Sequence, residues 1–152
     1  MKCLFLVFGL FLASMGYARQ VLSPNKKIKV VVEMHPAGQK GLGQAYFKVL
    51  YKNRDAYVEV LPSSPLGIFR ADQQFVSNLK LIGESKPVAV HDKYEMLIGK
   101  RKLCENFGTE KTFSYQNASK QPLDVTFRVY NNGIAFRYTF PNRSDSVLSI
   151  TD

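Results

Sequence analysis

The feature that most constrains the fold lies near the end of the chain, where apolar and polar residues alternate in two consecutive segments. Residues 124–130 read Asp-Val-Thr-Phe-Arg-Val-Tyr, and residues 134–140 read Ile-Ala-Phe-Arg-Tyr-Thr-Phe. A period of two is typical of a strand with one buried face. Asn132 and Gly133 stand between the segments and are suited to the positive φ angles of a tight turn. The pattern therefore predicts a β-hairpin.

Earlier segments predict more strands. Residues 28–34 are apolar and β-branched, which favours a strand, and residues 36–38 provide a turn at its exit. Residues 45–51 and 56–61 are also strand-like, and the polar residues 53–55 between them predict a second hairpin.

The middle of the chain is less regular. Pro62 and Pro65 are expected to interrupt the strand pattern, because proline has no backbone donor and restricts the residue before it. Residues 75–82 fit either a strand or a short helix, and their periodicity leaves both alternatives open. Residues 88–97 and 111–116 are predicted to form strands.

Many short strands with polar turns between them favour an all-β fold, an antiparallel β-sandwich. The alternating residues 147–152 predict a last strand that reaches the end of the sequence without a turn. Because an open strand leaves its backbone groups and apolar face unpaired, we expect the sandwich to be incomplete at its C-terminal end. The predicted domain comprises residues 19–152.

The first 18 residues have the order of a secretory signal peptide. Lys2 is followed by the apolar residues 3–12 and then by the small residues Gly16 and Ala18. Cleavage is predicted after Ala18, with an exported product, periplasmic or secreted, that has no membrane anchor. The alternative, an uncleaved anchor, is disfavoured because the apolar run is shorter than the roughly 20 residues needed to span a bilayer.

The chain has two cysteines, and Cys3 would leave with the signal. The remaining Cys104 has no partner for an intramolecular disulfide. A single cysteine in an oxidising compartment is either buried and inert or a free thiol. Because Leu103 and Phe107 flank it, we predict burial and leave its role open.

The formal net charge is +9, from 21 Lys and Arg against 12 Asp and Glu. The basic clusters are short, at residues 26–29 and 100–102. Nucleic-acid binders usually concentrate charge on one helix or stripe, so we predict solvated faces and no nucleic-acid partner. With 152 residues, the chain is also too short for a (β/α)₈ barrel, which needs about 250.

Histidines and cysteines are too few for a zinc site, which needs three or four such ligands. A nucleophilic pair of His91 and Cys104 is conceivable, but a loop histidine and a buried cysteine account for the same residues. His35, next to Pro36, is interpreted as an exposed turn residue.

Paired carboxylates carry out the chemistry of glycosidases, and Glu95, Glu105 and Glu110 are the candidates in the polar middle of the chain. Their spacing singles out no pair, so we interpret them as surface residues. The glycine-rich residues 38–43 lack the following helix of a phosphate-binding loop. Asn117 and Asn142 each begin an Asn-X-Ser glycosylation pattern, a signal that any polar loop can produce. No catalytic, cofactor-binding or metal-binding residue is assigned.

Three segments carry a resemblance to a known family. They are Leu-Ser-Pro-Asn-Lys-Lys-Ile-Lys-Val at 22–30, Ser-Pro-Leu-Gly-Ile at 64–68 and Val-Thr-Phe-Arg-Val-Tyr-Asn-Asn-Gly-Ile-Ala-Phe-Arg-Tyr at 125–138. With the export signal, they resemble the N-terminal β-sandwich domain of glycoside hydrolase family 97. The resemblance covers most of residues 19–152, and its most specific parts are the hairpin and the Ser-Pro-Leu-Gly segment.

The resemblance implies an exported bacterial α-glucosidase or α-galactosidase with calcium at its active site, built from the sandwich, a catalytic barrel and a small C-terminal β domain. It places the catalytic carboxylates on the barrel, which is missing here, and one calcium-ligating glutamate late in the N-terminal domain. The chain stops near that region, at residues 150–152, so no ligand is carried over and Asp152 is at best a neighbour.

This chain alone is therefore expected to bind no calcium and to hydrolyse nothing, while the intact enzyme acts on an oligosaccharide. Arg128 and Arg137, on the predicted hairpin, either bridge to the missing partner surface or are solvated strand arginines, and we favour the second reading. The alternative function is a stand-alone exported module that binds glycans or cell-envelope polymers.

Overall fold

The computed structural model describes residues 19–36, 41–100, 102–142 and 149–151, and all regular structure in these residues is β-strand. None of them forms a helix long and apolar enough to cross a bilayer. The predicted signal peptide and its cleavage site at Ala18 lie outside the described residues.

The described residues form strands in three antiparallel sheets. In chain order, the strands are β1 (Arg19–Leu22), β2 (Ile28–Pro36), β3 (Gly43–Asn53), β4 (Ala56–Pro65), β5 (Phe69–Arg70), β6 (Gln73–Gln74), β7 (Lys80–Glu84), β8 (Val88–Glu95), β9 (Leu103–Gln116), β10 (Pro122–Tyr130), β11 (Ile134–Thr139) and β12 (Ile150–Thr151).

The first sheet has the order β1-β2-β3-β4. It contains the strand predicted at residues 28–34 and the hairpin predicted around residues 53–55. Asn53 pairs with Ala56 across a two-residue loop, and Arg54 in that loop has a φ of 54°. Both sequence predictions are confirmed.

The second sheet has the order β11-β10-β9-β7, and β8 also pairs with β9. The predicted hairpin is confirmed as β10 and β11, but neither Asn132 nor Gly133 has a positive φ, so its predicted turn geometry is wrong. The backbone N–H of Tyr130 instead donates to the carbonyl of Gly133 at 2.8 Å. The side chain of Asn131 accepts a hydrogen bond from the backbone N–H of Asn25, which holds the turn against the first sheet.

The two larger sheets face each other and enclose one apolar core, as expected for a β-sandwich. Aromatic rings join them, since the Phe47 ring lies 5.5 Å from both the Phe127 and Phe136 rings. The buried apolar side chains are Val21, Val30, Val32, Ala45, Phe47, Val49, Leu66, Phe75, Leu79, Phe113, Tyr115, Leu123, Val125, Phe127 and Val129.

Pro62 does not interrupt the strand, because β4 continues past it, whereas β4 ends at Pro65. The prediction was wrong for Pro62, for a physical reason. β4 lies at the edge of its sheet, where a missing backbone donor is tolerated, and its pairing with β3 shifts register between Phe47 and Leu50. The prolines are accommodated by the edge position and the irregular pairing.

The open alternatives at residues 75–82 resolve into a buried loop followed by a strand. Phe75 and Leu79 are fully buried without belonging to a strand, and β7 begins at Lys80. Leu79 exchanges two backbone hydrogen bonds with Gly43 at the start of β3. This loop therefore closes one end of the core.

The third sheet, of order β12-β5-β6, contains the described part of the predicted last strand. Ile150 pairs with Arg70 and Thr151 pairs with Phe69. The expectation that this strand has no partner was wrong for these two residues. Residues 143–148 and 152 lie outside the described part of the chain.

Candidate functional site

The most developed polar cluster lies on the outer face of the second sheet and joins β8, β9 and β10. Cross-strand pairing brings Glu110 opposite Arg128, and directly paired residues share one face of a sheet. Arg128 Nε donates to Glu110 Oε2 at 2.5 Å, and Nη1 donates to Asp92 Oδ1 at 3.1 Å. The Tyr130 hydroxyl donates to Asp92 Oδ2 at 2.5 Å. We call Asp92, Glu110, Arg128 and Tyr130 the outer-face cluster.

Hydrogen bonds within the outer-face cluster shift the pKa values of Arg128 and Tyr130. The hydrogen bond to Glu110 raises the pKa of the Arg128 guanidinium, so it stays charged. The hydrogen bond to Asp92 raises the pKa of the Tyr130 hydroxyl, which keeps its proton. Two carboxylates that share one guanidinium form an ion-pair network across three strands.

A shallow cavity of about 200 Å³ adjoins the outer-face cluster between β10 and β11. Arg128 and Arg137 both line it, but their environments differ. Arg128 is bound within the chain, so its interpretation as a solvated arginine was wrong. Arg137 is exposed, and no carboxylate of the described residues forms an ion pair with it.

The three glutamates predicted as surface residues each form an ion pair with a basic side chain. Glu105 contacts Lys93 at 3.4 Å, and Glu95 contacts Lys102 at 3.9 Å. Glu110 lies an odd number of residues from Glu105 on the same strand, so the two side chains are on opposite faces of the sheet.

The hypothetical pair of His91 and Cys104 is not brought together. Cys104 is opposite Tyr94 in the register of β8 and β9, whereas His91 is opposite Phe107 and stacks on its ring. The two side chains therefore lie on opposite faces. His91 was wrongly placed in a loop, and Cys104, predicted to be buried, is only partly buried.

His35 is exposed, as predicted, but it lies in strand β2 rather than in a turn. Its ring stacks on Tyr46, with 4.2 Å between the centroids. Pro36 also belongs to β2 because it pairs with Gly43. The His35 ring therefore forms part of the contact between β2 and β3.

The described residues do not fit the calcium expected in the intact family enzyme. They contain no group of three or more His, Cys, Asp or Glu side chains arranged to hold a metal ion. Asp92 and Glu110 offer oxygen ligands of the right type, but Arg128 already occupies both carboxylates.

A polar groove of about 460 Å³ lies at the opposite end of β9, beside the β9–β10 turn. Asn117 is buried there, and its side chain donates to Gln73 Oε1 and to the carbonyl of Gln74. Its Oδ1 accepts from the backbone N–H of Gln121. The sequence suggested a glycosylation pattern at Asn117 and missed this structural role, although asparagine is a typical turn residue.

The fold is that of an all-β sandwich domain with antiparallel sheets. The model of the family described as glycosyl-hydrolase 97 N-terminal matches residues 21–152. The chain belongs to this family.

One curated relative, a probable retaining alpha-galactosidase from Streptomyces bingchenggensis (strain BCW-1), is 33% identical over 92 residues. The match covers 60% of this chain and 14% of the relative. This chain therefore corresponds to only a small part of that protein.

Solved structures of a glycoside hydrolase family 97 enzyme from Pseudoalteromonas sp. strain K8 share the fold. The complex with panose has a TM-score of 0.69 and 19% identity, and the complex with acarbose has a TM-score of 0.67 and 19% identity. Each match covers 87% of this chain and 19% of the enzyme. The resemblance to family 97 is confirmed.

Proposed function

We propose that this chain is the N-terminal accessory domain of an exported family 97 glycoside hydrolase that acts on α-glucosides or α-galactosides. In this proposal the domain packs on a catalytic barrel and forms one wall of the substrate cleft. The family match over residues 21–152 carries the proposal. Export rests on the signal-like residues 1–18.

Two further observations support an accessory role rather than catalysis by this domain. Each candidate glutamate forms an ion pair with a lysine or an arginine. His91 and Cys104 lie on opposite faces of the sheet. The facing carboxylates Asp92 and Glu110 both form ion pairs with Arg128. A rigid sandwich can still orient a neighbouring domain and exclude water from its cleft while barrel carboxylates perform acid and base catalysis.

The substrate class rests on the relatives. One is named as a probable retaining alpha-galactosidase, and another was solved in complex with panose and with acarbose. Both α-glucosides and α-galactosides are therefore suitable test substrates.

The test compares two proteins on p-nitrophenyl α-glucoside and p-nitrophenyl α-galactoside. One is residues 19–152, and the other is the product of the complete coding sequence from which this chain comes. The proposal predicts hydrolysis of at least one substrate by the second protein and of neither by the first. Hydrolysis by residues 19–152 alone, or by neither protein, would contradict it.

A second candidate function is a stand-alone glycan-binding module. The amide-lined groove beside Gln73, Gln74 and Gln121 favours it, because amide side chains can hydrogen-bond to sugar hydroxyls. Calorimetric titration of residues 19–152 with maltooligosaccharides distinguishes it. Binding that is lost in Gln73→Ala would support a module, and the absence of binding would remove this candidate.

A further inference from the structure

Strands β8 and β9 extend beyond the sandwich as a two-stranded hairpin. The pairing of β9 with β10 ends at Gly108, whereas its pairing with β8 continues to Leu103. Residues 103–107 therefore pair with β8 alone. At about 3.4 Å per residue, this overhang is roughly 17 Å long. We call residues 91–107 the β8–β9 arm.

The tip of the β8–β9 arm exposes aliphatic side chains. Leu97 is fully exposed and Ile98 is 88% exposed, and the neighbouring Met96 and Leu103 are about half exposed. A two-stranded ribbon gains little from such side chains, since it has no core in which to bury them. Contiguous exposed apolar surface of this kind marks an interaction site.

The inner face of the β8–β9 arm continues the face that forms the core. Phe107 alternates in register with the core residue Phe113 along β9, so both side chains are on one face of the sheet. Phe113 is fully buried, whereas Phe107 is 55% exposed. Between Phe107 and the tip this face carries the Lys93–Glu105 ion pair, so the apolar surface of the arm consists of Phe107 at its base and the side chains at its tip.

The charge of the tip indicates which kind of partner surface it can contact. The described tip carries Lys100 and Lys102, and Lys102 pairs with Glu95 at 3.9 Å. Two tips in contact would bring the Lys100 side chains of both copies together, which disfavours a second copy of this chain. An apolar recess with an acidic rim is complementary to this tip.

We propose that the β8–β9 arm docks into the catalytic portion of the same enzyme, with Leu97 and Ile98 inserted in an apolar recess and Lys100 at its acidic rim. This inference rests on the proposed function. The matched part of the relatives is only 14% and 19% of their lengths, so the remainder offers ample surface for such a recess. The arm thereby fixes the orientation of the sandwich on its partner.

Thiol labelling tests the docking directly. Leu97→Cys is introduced into a Cys104→Ser background, both in residues 19–152 and in the product of the complete coding sequence. The fully exposed side chain should react rapidly with a maleimide in the short protein. In the complete protein, where reaction requires local opening, it should react at least about tenfold more slowly. Mass spectrometry of the peptide that contains residue 97 gives both rates.

Ser119→Cys is the matched control. Ser119 is exposed in the β9–β10 turn, at the opposite end of β9 from the β8–β9 arm. It should react at the same rate in both proteins. Equal reactivity of residue 97 in the two proteins would overturn the proposal.

Two other outcomes would also overturn it. Protection of residue 97 in the short protein by vesicles of anionic phospholipid would identify a membrane surface as the partner. Protection that grows with the concentration of the short protein would identify a second copy. Hydrolysis is measured on the same complete protein. Failure of the proposed function can therefore be told apart from failure of the docking inference. An active enzyme with a reactive residue 97 contradicts only the docking.

Discussion

Arg128 on β10 lies directly opposite Glu110 on β9, and its Nε donates a 2.5 Å hydrogen bond to the Oε2 of that carboxylate. The same guanidinium reaches Asp92 on β8, so one side chain connects three neighbouring strands. The outer face of the second sheet is therefore held by charge, while its inner face is held by aromatic packing.

Replacing Arg128 by methionine should destabilise the domain by about 1 kcal/mol, because partly exposed ion pairs contribute up to roughly that amount. The loss has two origins, the missing hydrogen bonds and the repulsion between Asp92 and Glu110. Urea denaturation of residues 19–152 measures it. Arg137→Met is the control, and it should leave the midpoint unchanged because Arg137 forms no ion pair with the described residues. Equal shifts in both variants would contradict the network.

Leu66 in the Ser-Pro-Leu-Gly segment is fully buried, and its backbone N–H donates to the carbonyl of Ala45 on β3. Leu66→Ala should lower the free energy of unfolding by about 2–5 kcal/mol, the range for leucine truncation in a core. Leu97→Ala removes the same atoms from a fully exposed position and should have little effect on residues 19–152. Thermal unfolding of both variants distinguishes the positions, and similar losses would contradict the assigned core.

Gly43, at the start of β3, has no room for a side chain. A Cβ atom there would lie 2.3 Å from the backbone carbonyl oxygen of His35. Gly43→Ala should therefore cost about 1–3 kcal/mol, as overpacking does. At Gly83 a Cβ would meet no atom within 4 Å, so Gly83→Ala should change stability little. The pair is compared by urea midpoints, and an unaffected Gly43→Ala would contradict the close β2–β3 approach.

The parts of the fold that local patterns predict are those in which one strand face is buried. Val125, Phe127 and Val129 alternate as expected and point into the core. The turn after them was predicted for the wrong reason, because Asn131 is held by a residue 106 positions away. Local sequence cannot report such a contact.

Proline was misjudged for a similar reason. Whether a strand tolerates Pro62 depends on its place in the sheet, and edge position is a property of topology rather than of the local sequence. The outer-face cluster was missed because Asp92 and Arg128 are 36 residues apart and meet only through sheet pairing. By contrast, the resemblance to family 97 rests on segments that contribute to the core or form turns. Leu66, in one of these segments, is fully buried.

Acid should weaken the first sheet through Glu33 and Lys48. Their hydrogen bond lowers the pKa of Glu33 below its usual 4.5, so this stabilisation is present above pH 4.5 and is lost as the pH falls through the lowered pKa. The same bond raises the pKa of Lys48, so the contribution is also lost at alkaline pH, as the pH rises through that raised pKa.

The comparison is between the parent chain and Lys48→Met, by urea denaturation across the pH range. Their stability difference should be largest near neutral pH and should shrink under acid conditions. Lys52, an exposed lysine on the same strand, provides the control variant Lys52→Met. A difference that is independent of pH would contradict the ion pair.

Deleting and restoring the domain is the most direct test of its accessory role. The product of the complete coding sequence is prepared without residues 19–152 and assayed on p-nitrophenyl α-glucoside and α-galactoside, before and after the separate domain is added. The account predicts that deletion lowers hydrolysis and that residues 19–152 restore it, whereas a variant with Leu97→Asp and Ile98→Asp does not. Full activity of the deleted protein, with no effect of the added domain, would contradict the account.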